Sequence, residues 1–291
     1  MAMNLDAIRH LRLSCRQTIA PRDAILYALG IGLGADPTDE RQLRFVYEDG
    51  ILALPTQAIT FTYPALLAAY GDAGITMHRV LHGEQQFVLE RPLPTSAELE
   101  GETRMIGLVD KGPGRGLLIY YRTEIRNLAG NELVATLTSS SFCVDEGGAC
   151  GTAAAPAQPP IARHVLPDRA PDEVCELATL PQAALIYRLS GDYNPMHALP
   201  SVARAAGHAR PILHGRCTFG VAGHAVLRSV CDYEPARIRS MTARFTTPVF
   251  PGETLRTELW HAPGGVLFRT RIKERDRVAL DNGFAALGDA P

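Results

Sequence analysis

At 291 residues, with 46% hydrophobic and 21% charged residues, the chain can bury a full core in one large domain or two ordinary ones. A net charge of −2, with no long basic run, argues against nucleic acid and anionic membrane as partners. No stretch approaches the roughly 18 unbroken apolar residues of a membrane span.

Residues 1–20 carry no signal-peptide core, and the C-terminal Gly-Asp-Ala-Pro is not a peroxisomal address. Six cysteines, at 15, 143, 150, 175, 217 and 231, form no C-x-x-C pair. Free thiols in a reducing, cytoplasmic compartment are expected.

Taken in order, residues 22–33 read as a helix starting near Asp23 and ending at Gly30, and 61–70 as a second short helix. Residues 85–91 read as a strand stopping at Pro92. Three long strands follow at 97–109, 116–127 and 132–144, joined by the Lys111-Gly-Pro-Gly and Leu128-Ala-Gly-Asn turns into an antiparallel meander. Residues 147–160 are small, uncharged and proline-punctuated, the composition of a linker. The pattern then restarts: helix at 181–189, helix from about Gly215 to Ser229, and strands at 238–247, 253–262, 264–273 and 277–287.

Three short echoes recur in the same order in both halves. Ile25-Leu-Tyr-Ala-Leu-Gly resembles Leu185-Ile-Tyr-Arg-Leu-Ser-Gly. His82-Gly-Glu-Gln-Gln-Phe resembles His214-Gly-Arg-Cys-Thr-Phe. Arg91-Pro-Leu-Pro resembles Thr247-Pro-Val-Phe-Pro. Together they argue for a duplicated unit. From His214 to Pro248 there are 34 residues, but from His82 to Pro92 only 10. The first copy therefore lacks room for a helix after its His-Gly, and the volume left inside its sheet can hold an apolar tail.

One stretch concentrates chemistry. Residues 187–197 place Asp192, Asn194 and His197 on a run broken by Gly191 and Pro195. An imidazole and a carboxylate that meet can act as an acid/base pair at neutral pH. Spacing alone favours a Gly-Asp turn followed by an Asn-Pro turn, with His197 a satisfied polar residue. His214-Gly215 then opens a helix whose first amides lack intrahelical partners, and a glycine there lets a ligand oxygen approach. Gly220, Ala222, Gly223 and Ala225 make that helix slim, and His224 reads as a structural residue on it. Gly30-Ile-Gly-Leu-Gly34 is not a dinucleotide loop, since no strand precedes it. No H-E-x-x-H, C-x-x-C or G-x-S-x-G run is present, so no metal site or serine nucleophile is expected.

Tyr187-Arg-Leu-Ser-Gly-Asp-Tyr-Asn-Pro-Met-His197, followed by Pro211-Ile-Leu-His-Gly-Arg-Cys-Thr-Phe-Gly220, resembles the hydratase 2 motif of MaoC-like (R)-specific enoyl-CoA hydratases. Phe45-Val-Tyr-Glu48, Leu54-Pro-Thr56, Leu81-His-Gly-Glu-Gln85, Asp110-Lys-Gly-Pro-Gly114, Asp168-Arg-Ala-Pro-Asp172 and Arg244-Phe-Thr-Thr-Pro-Val-Phe-Pro-Gly252 extend the likeness to the hydratase 2 unit of peroxisomal multifunctional enzymes.

The resemblance implies an α+β double hot-dog: two curved antiparallel sheets, with a full central helix in the C-terminal half. The halves would be 1–146, housing the acyl chain with its central helix lost, and 173–291, carrying the catalytic motif, with 147–172 as linker. It further implies reversible syn hydration of trans-2-enoyl-CoA to (3R)-3-hydroxyacyl-CoA. Asp192 and His197 would hold and deprotonate the water, Asn194 would orient it or the pair, and the Gly215 N–H would stabilise the thioester oxyanion. His82, Gly83, Lys111, Tyr193 and Phe245 would help bind acyl-CoA.

No metal or redox cofactor is implied, because the only coenzyme is the thioester substrate. Sheet edges of such a fold can pair two chains into a homodimer. Two departures stand out: Leu199 replaces an acid usual in the motif, with Ser201 a candidate cap for the next helix, and His208 replaces an apolar residue. Open alternatives are a branched, dicarboxylic or steroid-derived acyl-CoA as substrate, an acyl-CoA thioesterase, and a non-catalytic acyl-CoA-binding subunit.

Overall fold

Alternation of buried and exposed side chains sets the strands. In the computed structural model, which describes residues 3–61, 63–75, 80–150 and 160–289, the pattern is clearest at Gly265–Ile272, where Val266, Phe268, Thr270 and Ile272 all point inward. The first half runs α1 (Leu5–Arg9), β1 (Arg12–Ile19), α2 (Pro21–Gly30), α3 (Glu40–Leu43), α4 (Tyr63–Asp72), β2 (Val80–Leu89), β3 (Ala97–Asp110), β4 (Leu117–Asn127) and β5 (Glu132–Cys143). The second runs β6 (Glu173–Ala178), α5 (Ala183–Tyr187), α6 (Pro200–Ala205), α7 (Gly215–Val230), β7 (Ile238–Phe245), β8 (Thr254–Ala262), β9 (Gly265–Ile272) and β10 (Arg277–Leu287).

Among the described residues the strands form one ten-stranded sheet in the order β1-β3-β4-β5-β2-β7-β10-β9-β8-β6. Each half-sheet repeats the other about the β2–β7 seam, where Glu84 pairs with Arg244 and Phe87 with Met241. The two sheets expected from the sequence are thus joined edge to edge. The symmetry reaches side chains. Thr103 and Thr123 share a hydrogen bond of 2.8 Å between β3 and β4, and Thr257 and Thr270 one of 3.0 Å between the corresponding β8 and β9. Each pair satisfies two buried hydroxyls.

Two corrections to the sequence reading follow. His82-Gly83 is not the counterpart of His214-Gly215. It lies on β2, the symmetry mate of β7, and β2 bulges between His82 and Glu84. A Cβ on Gly83 would stand 2.6 Å from the Ser140 hydroxyl, so glycine is needed for the close approach of β5. Nor is the central position of the first half empty, because the short helix expected at 61–70 is α4 and stands there. α4 precedes β2 as α7 precedes β7, and its Leu66 and Tyr70 pack against Leu117, Ile119, Tyr121 and Cys143 of the sheet. It has ten residues where α7 has 16. The linker expected at 147–172 falls partly on 151–159, outside the described residues. Its near end is tied down, since the Gly148 and Cys150 amides donate to the Asp110 carboxylate.

β1 and β6 were not foreseen. Both are edge strands with largely exposed or half-buried side chains, so they carry little apolar signal. All six cysteines are free.

α7 is buried from Arg216 to Leu227 and anchors the larger core. Its slim face meets the first half. A Cβ on Gly220 would lie 2.7 Å from the Tyr27 hydroxyl of α2, and one on Gly223 2.4 Å from the Thr56 methyl, which sits in the tight turn Pro55–Thr60. Gly223→Ala is therefore expected to destabilise the protein by about 1–3 kcal/mol through overpacking, despite about 1 kcal/mol of improved helix propensity. Urea unfolding measures it, and adding Thr56→Ser, which removes the clashing methyl, is expected to recover most of the loss.

Candidate active site

The chain reaches the site through a broken run. A single turn at Arg188–Ser190 ends on Gly191 at φ +106°, a conformation open to glycine and costly to other residues. Asp192 follows, and its Oδ1 accepts from the Asn194 amide at 3.2 Å. Asn194 stands outside the helical region at φ −53°, ψ 121° before Pro195, and its own Oδ1 caps the next turn by accepting from the Met196 amide at 3.0 Å. That turn, Pro195–His197, delivers His197 into the interior.

Asp192, His197 and His214 are all buried, and one ligand-capable atom from each lies within 4.8 Å of the others. The imidazoles of His197 and His214 stack with centroids 3.7 Å apart. Backbone carbonyls fix both tautomers. His197 Nδ1 lies 2.9 Å from the Ile212 oxygen, and His214 Nε2 3.0 Å from the Asp192 oxygen. A carbonyl only accepts, so each of those nitrogens carries the proton. His197 Nε2 is left with its lone pair, and His214 Nδ1 is buried without a partner. Burial lowers the pKa of His197, partly opposed by the Asp192 carboxylate. Burial and then the neighbouring His197 hold His214 well below the ordinary imidazole range. Both rings are neutral at pH 7, the state a proton acceptor needs.

Of the other residues singled out in the sequence, Gly215, His82 and Phe245 come together. His82 stacks on Phe245 at 4.3 Å, and a Cβ on Gly215 would stand 3.3 Å from the Phe245 ring and 3.7 Å from His82. Gly215 is the first residue of α7, where unpaired amides and the positive end of the helix dipole lie. Lys111 lies on the β3–β4 turn, with Nζ 4.7 Å over the Phe142 ring. Burial and Arg244 depress its pKa. Tyr193 is 56% exposed and lies beneath the Arg188 guanidinium. Gly191 and Tyr193, the chain neighbours of Asp192, help line a cavity of about 210 Å³ whose other walls include Leu26, Gln57, Thr60 and Phe61 of the first half.

Leu199 is half exposed and stands at the N-cap of α6 without a side-chain cap bond. Ser201 therefore does not cap that helix; Pro200 at its first position removes one of the donors a cap would serve. His208 is half-buried just past α6, where its amide donates to the Ala203 carbonyl at 2.9 Å.

Two residues were missed. The His214 side chain was passed over for the glycine beside it, although a histidine before a buried helix was a usable signal. Arg216 is buried at the second position of α7, and its guanidinium donates to the Ile59 carbonyl. Its sequence signal was a lone charge in a run of small and apolar residues.

The site and sheet define the class. Residues 163–282 match the MaoC like domain and residues 18–145 the MFE-2 hydratase 2 N-terminal domain. A MaoC-like dehydratase from Phytophthora capsici superposes with a TM-score of 0.85 at 34% identity, covering 98% of both chains. A Mycobacterium tuberculosis protein described as a double hotdog fold superposes with a TM-score of 0.63 at 20% identity, covering 98% of both chains, a likeness of fold alone. The molecule is a double hot-dog of the MaoC-like type. Peroxisomal enoyl-CoA hydratase 2 of Arabidopsis thaliana is 38% identical over 278 residues, spanning 91% of this chain and 89% of that one. The chain belongs to the hydratase 2 branch of the MaoC-like family and is an enzyme of the lyase class.

No helix among the described residues is long and apolar enough to cross a membrane. The plant relative is peroxisomal by name, so the cytoplasmic location expected from the free thiols gains nothing from the comparison.

Proposed function

We propose that the protein hydrates trans-2-enoyl-CoA reversibly to (3R)-3-hydroxyacyl-CoA. The carrying observation is the bare Nε2 of a neutral, buried His197, fixed by the Ile212 carbonyl beside the Asp192 carboxylate. A water held between the two gives one proton to the pair as its oxygen adds to C3. The C2–C3 π electrons move toward the thioester oxygen, where charge builds. The Gly215 N–H at the head of α7 stabilises that charge. The pair returns one proton to C2 on the same face, so addition is syn and the enzyme ends in its starting state.

Asn194 holds the loop through its side-chain oxygen, which accepts from the Met196 amide, and its side-chain NH2 would orient the water or the pair. His82 and Phe245 flank Gly215 and so would line the thioester end of the substrate. Lys111 offers a cation for the coenzyme phosphates. The site asks for no metal or redox group, because the substrate brings its own activating thioester. The free sheet edges, β1 and β6, are where a homodimer through strand pairing would form.

The test is a panel of short, medium, long and branched enoyl-CoAs, followed by loss of enoyl absorbance and chiral analysis of the product. Hydration to the (3R) alcohol is expected. A (3S) product overturns the stereochemistry, and release of free CoA thiol without hydration replaces the reading with a thioesterase.

A further inference from the structure

Asp192 and His197 sit on a loop whose own hydrogen bonds are local: the Asp192 and Asn194 side chains each accept from an amide two residues on. What holds the pair against the head of α7 lies outside that loop, in residues 212–214. This segment is itself anchored. The Leu213 amide donates to the Val249 carbonyl at 2.7 Å, and the His214 carbonyl accepts from the Thr218 amide in the first turn of α7 at 3.1 Å.

The His214 ring makes two contacts of different kinds. Its Nε2–H donates to the Asp192 carbonyl at 3.0 Å, which fixes the backbone that carries the carboxylate. Its face lies against His197, with centroids 3.7 Å apart and 29° between the planes. The Ile212 carbonyl fixes where Nδ1 of His197 lies, and the His214 face fixes the plane of that ring. Together they leave His197 Nε2 one direction for its lone pair. Tyr187 packs against the His214 ring in turn, with centroids 5.0 Å apart.

One side chain thus touches both members of the pair, and the next residue is Gly215, the first of α7. At 1% exposed, with Nδ1 shut away from water, His214 has no open path to a substrate. Its contribution runs through its neighbours. Misplacing a reacting group by about 1 Å can cost about 10²-fold in rate.

We propose that His214 is a positioning residue: it sets the place of Asp192 and the plane of His197 relative to the Gly215 amide, so that proton transfer and oxyanion stabilisation act on one substrate at a fixed separation. The contacts rest on geometry alone, whereas the effect on rate also rests on the hydratase reading.

The test uses the full chain. His214→Ala, which loses both contacts, is expected to lower kcat for enoyl-CoA hydration about 10²-fold while KM changes less than about threefold. His214→Gln keeps a donor for the Asp192 carbonyl, and His214→Phe keeps a flat face for His197, so each is expected to recover part of the loss. In a His197→Gln background, His214→Ala is expected to change kcat less than about threefold, because residues that act as a unit do not lose multiplicatively. ¹⁵N NMR of histidine-labelled wild type at pH 7, assigned with His197→Gln, is expected to show the proton on Nδ1 of His197 and on Nε2 of His214.

Full kcat in folded His214→Ala overturns the proposal, as does a multiplicative loss in the double variant. Should the His214 variants fail to fold, the wild-type tautomers decide: a proton on His214 Nδ1 leaves no donor for the Asp192 carbonyl and overturns it. A wild type that hydrates no enoyl-CoA rejects the functional reading instead, and the tautomers then judge the contacts on their own.

Discussion

Asp192→Asn and His197→Gln are each expected to lower kcat for enoyl-CoA hydration by roughly 10²- to 10⁴-fold, the usual contribution of a positioned acid or base. The substitutions are chosen to spare the fold. Asparagine keeps an oxygen that can accept from the Asn194 amide as Asp192 Oδ1 does. Glutamine keeps an N–H that can reach the Ile212 carbonyl in place of His197 Nδ1. What each removes is chemical: a negative charge beside the water in the first case, a lone pair matched to neutral pH in the second. The two residues act on one water, so the double variant is expected to be scarcely slower than the worse single one. Circular dichroism and thermal melting should show both variants folded. Near-normal kcat in either would remove the Asp/His pair from the mechanism, and a multiplicative double loss would separate the two roles.

The loop carrying this pair was legible because its restrictions are local. Gly191 and Pro195 each limit their own backbone, and Asn194 does what an asparagine before proline does at a turn. The meander of β3, β4 and β5 was legible because β3 opens in strict alternation and β4 and β5 are apolar and largely buried between clear turns. The edge strands were not, since one face of β1 and β6 meets solvent and their apolar content is low.

The duplicated unit was visible, but its alignment was not. The His-Gly echo invited equating residues that the sheet places on a strand in one half and at a helix N-terminus in the other. Short identities carry no register; only the hydrogen-bonded pairing of β2 with β7 supplies it. His214 escaped for a related reason. Its partners are the Asp192 carbonyl, 22 positions away, and the face of His197, and neither contact is encoded by spacing along the chain.

Acid is expected to unfold the protein steeply between about pH 6.5 and 4, ahead of any loss from its exposed ion pairs. The cause is three buried imidazoles, His197, His214 and His224, and the half-buried His82, whose Nε2 is shut away from water. Burial holds His82 well below the ordinary range, with the Arg216 charge adding to the effect, and burial does the same to His214. It takes His224 down to about 4 and lowers His197 as well. Each folded pKa lies below the unfolded one, near 6.5. Between the two values the unfolded chain binds a proton that the folded chain refuses, so unfolding becomes easier as pH falls.

Each such group contributes up to about 1.4 kcal/mol per pH unit. His82, His214 and His224 together give a slope of about 4 kcal/mol per unit, set against a total stability of about 5–15 kcal/mol. Of the carboxylates whose pKa is lowered, Asp39 and Asp172, both at about 2, act in the same direction but in a lower window. Their contribution is present above the unfolded carboxyl pKa near 3.9 and fades only below it.

Urea midpoints at pH 7.5, 6.5, 5.5 and 4.5 measure the slope. His224→Gln is expected to flatten it by one group's share without touching the site, since His224 lies on α7 with its Nε2 3.5 Å from the Tyr233 hydroxyl. A midpoint that stays level from pH 7.5 to 5.5 would show that these rings gain protons in the folded state. Catalysis should report the same electrostatics from the other side: with His197 lowered, the acid limb of kcat/KM falls below pH 6.5, and activity persists into the range where stability is already declining.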